Sequence, residues 1–273
     1  MFIILNFLSV SARKIRRGKT VDRIREIRTG GGERFYILDV LENQKGVNWS
    51  EVENFVGAWG RSVLIGEGYS LPQSSSLRKF DCTPFKCLLL YNTASLILRE
   101  LYLSGCRMRC VVNDTGGKYA VQLEKIVKFS AETTVVTMNS HRYFDECRRL
   151  FTEYGAGISV AESCGSIGEN DIVIDTDGDY SGGGIVFSPT GNGFTPLYTD
   201  GFNDLKALCP PNINALDFLG ALYIKNNEIR LDSAACRMML KDSVPYSVDN
   251  IISDTRANFE RSADSGKSII FYV

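Results

Sequence analysis

The sequence predicts an α/β protein whose main domain is a mostly parallel sheet with helices on both faces, preceded by a smaller α/β domain. The central part of the chain alternates short apolar, β-branched runs with segments of helical periodicity about 10 to 15 residues long, and glycine-containing turns join them. Such alternation is typical of right-handed βαβ units and a parallel sheet. The apolar content of 44% and the charged content of 23% are those of a globular protein with a sizeable core.

Residues 105–179 contain the clearest elements. Apolar runs at 108–112, 133–138, 158–160 and 171–175 predict four strands, which we expect to be parallel neighbours. Two helices are predicted between them. The apolar positions expected to face inward are Val121, Leu123, Ile126, Val127 and Phe129 in the first helix, and Phe144, Leu150, Phe151 and Tyr154 in the second.

The turn after the first of these strands reads Asn113-Asp114-Thr115-Gly116-Gly117-Lys118. With the strand before it and the helices and strands after it, this stretch resembles the first half of a Rossmann-type dinucleotide-binding domain, over roughly a quarter of the chain. That family has three spaced glycines in its fingerprint, whereas two adjacent glycines stand here. The resemblance therefore implies a pyrophosphate seat that is remodelled or absent.

The resemblance also implies where a cofactor would lie, because ligands of such sheets bind beyond the carboxyl ends of the strands. An acid that would bind a free ribose is absent at the end of the second strand, so NADP suits this site better than NAD. Ser140 and Arg142 would then hold the 2′-phosphate. The candidate cofactor-binding residues are Thr115, Gly116, Gly117, Asn139, Ser140, Arg142, Asp175 and Thr176.

Two functions are favoured at this point, and the sequence leaves open whether the protein is an enzyme. The first is an NADP-dependent oxidoreductase that binds its ligand in a cleft between two α/β domains. The alternative is a non-catalytic Rossmann-like sensor or partner-binding module that has lost the cofactor fingerprint. A methyltransferase-like protein also stays possible, because it shares the strand, glycine turn and helix, although it too would have an acid after the second strand. Each candidate segment also has a purely structural explanation: the two glycines turn the chain, Arg142 is solvated, and 175–179 is a surface turn. No catalytic residue is predicted.

The domain limits are predicted at 1–84 for the small domain and 85–273 for the Rossmann-like domain, with a linking helix over 85–103. In the small domain we expect strands at 1–10, 34–40 and 62–65, and a helix over 49–59 that Asn48 and Glu51 cap together. Farther along, we expect a strand at 185–187 and a helix around Leu216 and Phe218. Beyond them we expect a strand at 228–231, a helix at 233–240 and a terminal strand at 268–273.

Charge is distributed unevenly. Residues 13–28 carry eight Lys and Arg against two acidic residues, a local charge of +6 in a chain of net charge −1. The absence of interleaved aromatic residues disfavours nucleic-acid binding. We instead expect a solvated short helix that Thr20 caps, with Val21, Ile24 and Ile27 facing inward.

Cysteine and histidine usage excludes the usual metal sites. The eight cysteines form no C-x-x-C pair and the chain has one histidine, so we expect no metal and free thiols in a reducing, cytoplasmic compartment. The apolar stretch at 1–10 is too short to span a membrane, so we expect no membrane association. A small-molecule ligand is the expected partner, and homo-oligomerisation stays open.

Overall fold

The computed structural model describes residues 2–9, 21–28, 34–42, 46–57, 62–66, 68–168, 171–189 and 207–226. The chain divides into two compact units between Phe85 and Lys86. Of the described residues, the first unit contains those up to Phe85 and those from 207 to 226, and the second contains those from Lys86 to 189. The domain limits expected from the sequence stay a prediction.

The elements follow one another along the chain as strands and helices of moderate length. The strands are β1 (Ile3–Ser9), β2 (Val21–Arg28), β3 (Arg34–Glu42), β4 (Ser62–Ile65), β5 (Arg78–Lys79), β6 (Arg109–Asn113), β7 (Glu132–Val136), β8 (Ile158–Ala161), β9 (Ile172–Asp175) and β10 (Ile185–Phe187). The helices are α1 (Trp49–Val56), α2 (Thr83–Leu103), α3 (Glu124–Val127), α4 (His141–Tyr154) and α5 (Ala215–Asn226).

The first unit is a five-stranded sheet of order β2-β3-β1-β4-β5, in which only β2 runs antiparallel to its neighbour. Helix α1 buries Val52 and Val56 against one face of this sheet. The other face packs against α5, where the ring of Phe218 lies 5.2 Å from that of Phe35 and 6.4 Å from that of Phe2. Helices therefore cover both faces of this sheet.

Two local expectations for the first unit are wrong. Residues 21–28 form a strand rather than a helix, because β2 pairs along its length with β3 and Arg25 forms an ion pair with Asp39 at 2.9 Å. Thr20 lies outside the described residues. Asn48 makes no side-chain capping bond, and the Glu51 carboxylate instead accepts the Val21 N–H at 3.2 Å, so the expected capping box is not formed.

The second unit is a five-stranded sheet of order β10-β9-β6-β7-β8, and every pair in it is parallel. Counted from β6, the strands stand in the order 3-2-1-4-5, which is the order of a Rossmann-type sheet. The expected α/β fold, with these strands as parallel neighbours, is confirmed.

One face of this second sheet, here called the helical face, packs against α2, α3 and α4. Cys110 and Val112 of β6 belong to its continuous buried cluster. The first predicted helix is instead a 3-10 turn at Ala120–Leu123 followed by the single turn α3, and the side chain of Val121 is 70% exposed.

Helix α4 forms where it is expected but turns a different stripe inward. Of the residues that we expected in the core, Leu150 is buried, but Phe144 and Phe151 are 57% and 64% exposed; Tyr143, which we did not expect there, is buried. Two apolar stripes with helical spacing coexist in this segment, and the one that contains Tyr143 meets the sheet. Helical periodicity alone does not distinguish them.

The opposite face of this sheet, here called the loop face, carries Arg109, Val111 and Asn113 of β6, which alternate with the residues of the helical face. In the described residues, this face is covered by irregular chain at 162–168 and 176–184. Only ten residues separate Ala161 of β8 from Ile172 of β9. This connection has to pass two intervening strands, which leaves little length for a crossover helix.

Several expectations lie outside the described residues: the strand at 228–231, the helix at 233–240, the strand at 268–273 and Cys236. In the part of the chain that the structure describes, no disulfide joins the other seven cysteines. The same residues contain no cluster of metal-ligating side chains, and none of their helices has the length and apolarity that crossing a membrane requires.

Candidate functional site

The turn after β6 is built around the carboxylate of Asp114, whose side chain is fully buried. One carboxylate oxygen accepts the N–H of Lys118 at 3.1 Å, and the other accepts the N–H of Tyr119 at 2.8 Å. The hydroxyl of Tyr143 on α4 donates to the same carboxylate at 2.5 Å. Burial, followed by the charge of Asp114, raises the pKa of Tyr143, so this hydroxyl stays a donor. The carboxylate therefore holds the whole turn.

Thr115, Gly116 and Gly117 follow Asp114 in this turn. The N–H of Thr115 donates to the carboxylate of Asp177 at 2.7 Å, and that of Gly117 to the carbonyl oxygen of Asp114 at 3.0 Å. Gly117 has φ +63°, and a Cβ built on it would lie 3.0 Å from Cδ of Arg142. Only glycine fits here without strain, because both the conformation and the close approach disfavour a side chain.

The residues after β7 lie against this turn. Asn139 donates from Nδ2 to the carbonyl oxygen of Thr115 at 3.1 Å. Ser140 immediately precedes α4 and makes no capping bond with its side chain. Arg142 is exposed in the first turn of α4, and its aliphatic part lies beside Gly117. Asn139 and Arg142, which follow β7, therefore lie beside the glycine turn that follows β6.

The turn after β9 repeats the arrangement of the turn after β6. Asp175 is buried, and its carboxylate accepts the N–H groups of Gly178 at 3.1 Å and Tyr180 at 3.2 Å. Nδ2 of Asn113 donates to Asp175 at 2.9 Å and to Asp179 at 3.1 Å. Thr176 is buried and bonds the carbonyl oxygen of Asn113 through its hydroxyl at 2.9 Å. Asp175 and Thr176 therefore join β9 to β6 at the carboxyl edge.

All eight candidate residues lie at the carboxyl edge of the second sheet, and their assignment to a cofactor stays a prediction. Sequence reasoning did not single out Asp114, Asn113 or Tyr143 as residues that hold this edge together. A signal for Asp114 was present, since an Asp directly before a Thr-Gly-Gly turn is a side chain that bonds nearby backbone N–H groups. Tyr143 carried no such signal, because its partner lies 29 positions earlier in the chain.

A cavity of about 320 Å³ lies on the loop face, between the sheet and the two irregular segments that cover it. Its lining residues come from β6, β7 and these two segments. They are Val111, Asn113, Val136, Cys164, Gly165, Ile167, Tyr180, Gly182 and Gly183.

Arg109 fastens the covering segment 162–168 to the loop face. Its guanidinium donates to the carbonyl oxygen of Ser166 at 3.2 Å and to the carboxylate of Asp171 at 3.4 Å. It also contacts the Thr134 hydroxyl at 3.4 Å and the Cys164 sulfur at 3.6 Å. One half-buried arginine thus bonds this wall of the cavity to the sheet.

No protein-family model and no curated protein matches the sequence. Among solved structures, the chain is similar to L-tryptophan dehydrogenase from Nostoc punctiforme, with 11% identity and a TM-score of 0.32 over 85% of this chain and 77% of that chain. It is also similar to the ligand-free form of 5-ketofructose reductase of Gluconobacter sp. strain CHM43, with 12% identity and a TM-score of 0.32 over 94% of this chain and 98% of that chain. At these identities and TM-scores the two likenesses carry no argument, and the Rossmann-type class rests on the strand order.

Proposed function

We propose that this chain is a non-catalytic Rossmann-type module, a sensor or partner-binding protein whose carboxyl edge does not seat a dinucleotide. One observation carries the proposal: the carboxylate of Asp114 accepts the N–H groups of Lys118 and Tyr119. In a dinucleotide-binding domain, the N–H groups of this turn and of the helix after it face the pyrophosphate. Here a carboxylate of the chain itself takes these donors.

Charge and helix length support the same proposal. The N–H of Thr115 is bonded to Asp177, so a second carboxylate lies beside this turn. Negative charge at this position opposes a pyrophosphate. The element after the turn is a 3-10 turn and the four-residue α3, which is too short to supply the dipole that a long helix directs at a phosphate.

The buried acids of the edge are also unsuited to general acid-base catalysis. Both carboxylate oxygens of Asp114 and both of Asp175 accept hydrogen bonds from backbone N–H groups. A general base needs a carboxylate within reach of the substrate proton that it abstracts. These two aspartates are committed to the turns of their own chain, and we assign them a structural role.

The test is the thermal unfolding of the full chain with NADP, NAD, S-adenosylmethionine and ATP, each titrated separately. We expect the Tm to stay constant in all four titrations. A ligand at 100 times its Kd would add about 2.7 kcal/mol to the free energy of unfolding, so a rise of several degrees with NADP or NAD would overturn the proposal.

The second candidate function is an NADP-dependent oxidoreductase, and the packing of Arg142 against Gly117 favours it. The aliphatic part of Arg142 lies beside the turn, and its guanidinium would supply the positive charge that the 2′-phosphate of NADP requires. For this candidate, Arg142→Ala weakens NADP binding by about 1.5 to 3 kcal/mol and leaves NAD binding unchanged. The stability without ligand changes by less than about 0.5 kcal/mol, because Arg142 is exposed. Equal losses for NAD and NADP in parallel titrations at one ionic strength exclude the 2′-phosphate assignment.

A further inference from the structure

The cavity on the loop face occupies the layer that a crossover helix fills in a doubly wound sheet. Its floor is Val111, Asn113 and Val136 of the sheet, and its walls are Cys164 to Ile167 on one side and Tyr180 to Gly183 on the other. Its volume of about 320 Å³ lies within the range of small-molecule sites. The cavity is separate from the candidate NADP residues, since none of those residues lines it.

The lining lacks charge. None of its nine residues carries a charged side chain. The charged groups that bond lining residues have partners: Arg109 forms an ion pair with Asp171 at 3.4 Å, Asp175 accepts bonds from Asn113, Gly178 and Tyr180, and Asp179 accepts a bond from Asn113 at 3.1 Å. A charged ligand would therefore enter without a counter-ion, which is costly in an apolar environment.

Two lining side chains specify the shape and polarity of a ligand. Tyr180 is held in place by a hydrogen bond from its hydroxyl to the carbonyl oxygen of Gly183 at 2.9 Å, so an aromatic ring is fixed in the wall. A fixed ring favours a planar partner. Nδ2 of Asn113 already donates to Asp175 and Asp179, which leaves Oδ1 as the atom of this amide that accepts a hydrogen bond.

We propose that this cavity binds an uncharged planar ring compound with an N–H donor, which packs beside Tyr180 and donates to Oδ1 of Asn113. The inference deepens the proposed function, on which it rests, by naming the ligand class of a sensor. Glycines at positions 165, 182 and 183 leave the covering segments without side chains at three points of the wall, so that a flat molecule can approach the backbone.

Cys164 provides a reporter inside the cavity, because its half-buried thiol is part of the lining. The experiment measures the rate of iodoacetamide alkylation of each cysteine by peptide mass spectrometry, with three ring compounds of the same size. Benzamide is uncharged and has an N–H donor, benzoate is an anion without one, and benzamidine is a cation. Cys147 on α4 is another half-buried thiol, it lies outside the cavity, and it serves as the internal control.

We expect benzamide to slow the alkylation of Cys164, with about tenfold slower reaction at nine times its Kd, because only the empty protein reacts. Benzoate and benzamidine should protect Cys164 less than benzamide, and the rate at Cys147 should not change with any of them. Stronger protection by benzamidine would assign the cavity to cations and overturn the proposal. Absence of protection by benzamide up to its solubility limit would also overturn it.

A matched pair of variants locates the binding. Gly165 lines the cavity and Gly157 does not; both are exposed, and a Cβ on either meets no atom within 4 Å. Gly165→Leu should abolish the effect of benzamide on Cys164, and Gly157→Leu should leave it intact. Equal behaviour of the two variants would place the protection elsewhere.

Failure of the inference about the cavity can be distinguished from failure of the proposed function. A rise in Tm with NADP overturns the proposed function, whatever happens at Cys164. Constant Tm values with all nucleotides, together with an unprotected Cys164, overturn the inference about the cavity alone.

Discussion

The two faces of the second sheet are covered in different ways. Three helices pack the helical face into a continuous buried cluster, whereas irregular chain held by polar contacts covers the loop face and lines an open cavity. Apolar burial stabilises in proportion to area, while hydrogen bonds contribute about 1 kcal/mol each and depend on geometry. The helical face therefore contributes most of the stability of this unit. The loop face is where we propose that a ligand binds.

Replacing Asp114, whose carboxylate holds the turn after β6, should lower the free energy of unfolding more than any other change considered. Asp114→Ala leaves two backbone N–H groups and the Tyr143 hydroxyl without their acceptor, and we expect a loss of about 4 kcal/mol in the free energy of unfolding. Urea unfolding measures it. Asp145→Ala, an exposed change on α4, is the control and should stay within about 0.5 kcal/mol. Similar losses for both would show that Asp114 is not the anchor of the turn.

Two adjacent valines of β6 allow a direct comparison of how much each face contributes to stability. Val112 is fully buried on the helical face, and Val111 is 1% exposed but lines the cavity of the loop face. Val112→Ala should cost about 2.5 kcal/mol, because it creates a void in a packed cluster. Val111→Ala should cost about 1 kcal/mol, because this side chain has fewer atoms around it to lose. Urea unfolding under identical conditions measures the loss of unfolding free energy in each variant. Equal losses would contradict the difference between the two faces.

Helix α3, which packs on the helical face, carries a half-buried lysine. Burial lowers the pKa of Lys125 from its ordinary 10.5 to about 8, and its ammonium donates to Asn92 at 2.6 Å. Between pH 8 and 10.5 the unfolded chain binds this proton and the folded chain does not, so this residue makes stability rise with pH in that window. Lys125→Met should remove that rise and increase the free energy of unfolding at pH 7 by about 1 kcal/mol. Unfolding curves from pH 7 to 10.5 compare the two proteins, and parallel pH dependences would contradict the burial of the amine.

On the loop face, Arg109→Ala should lower the free energy of unfolding by only about 1 kcal/mol, because its contacts are polar and partly exposed. Its local effect should be larger, since the segment that contains Cys164 and Ser166 loses its attachment to the sheet. We expect faster alkylation of Cys164 and an unchanged rate at Cys147. An unchanged rate at Cys164 would show that this wall is held by other contacts.

The sequence predicts the second sheet well, because each of its strands is a β-branched or apolar run between turn residues. The parallel order around β6 follows from the alternation of these runs with helical segments. Residues 21–28 show the limit of this reasoning. Their charged and β-branched residues also fit one face of a helix. Pairing with β3, the next strand along the chain, makes this segment a strand instead.

The candidate site was predictable in position but not in detail. Carboxyl-edge geometry brings the segments after β6, β7 and β9 together, and the expected glycine turn is present at Gly117. The cavity was not predictable, because it depends on how residues 162–168 and 176–184 fold over the sheet. Tyr180 was a recognisable aromatic residue in a glycine-rich turn, but nothing in its local sequence indicates that Asn113 and Cys164 share a cavity with it.

The carboxylate of Asp114 acts on the turn after β6 as a ligand that is covalently part of its receptor. A tethered anion is present at an effective concentration that no free phosphate in solution reaches, and it needs no translational entropy to bind. A soluble anion gains these N–H groups only if Asp114 first leaves a site in which Tyr143 also bonds it. Any evolutionary route from this turn to a dinucleotide site therefore begins with loss of the aspartate. Another acceptor must then bond the N–H groups of Lys118 and Tyr119 if the turn is to stay folded.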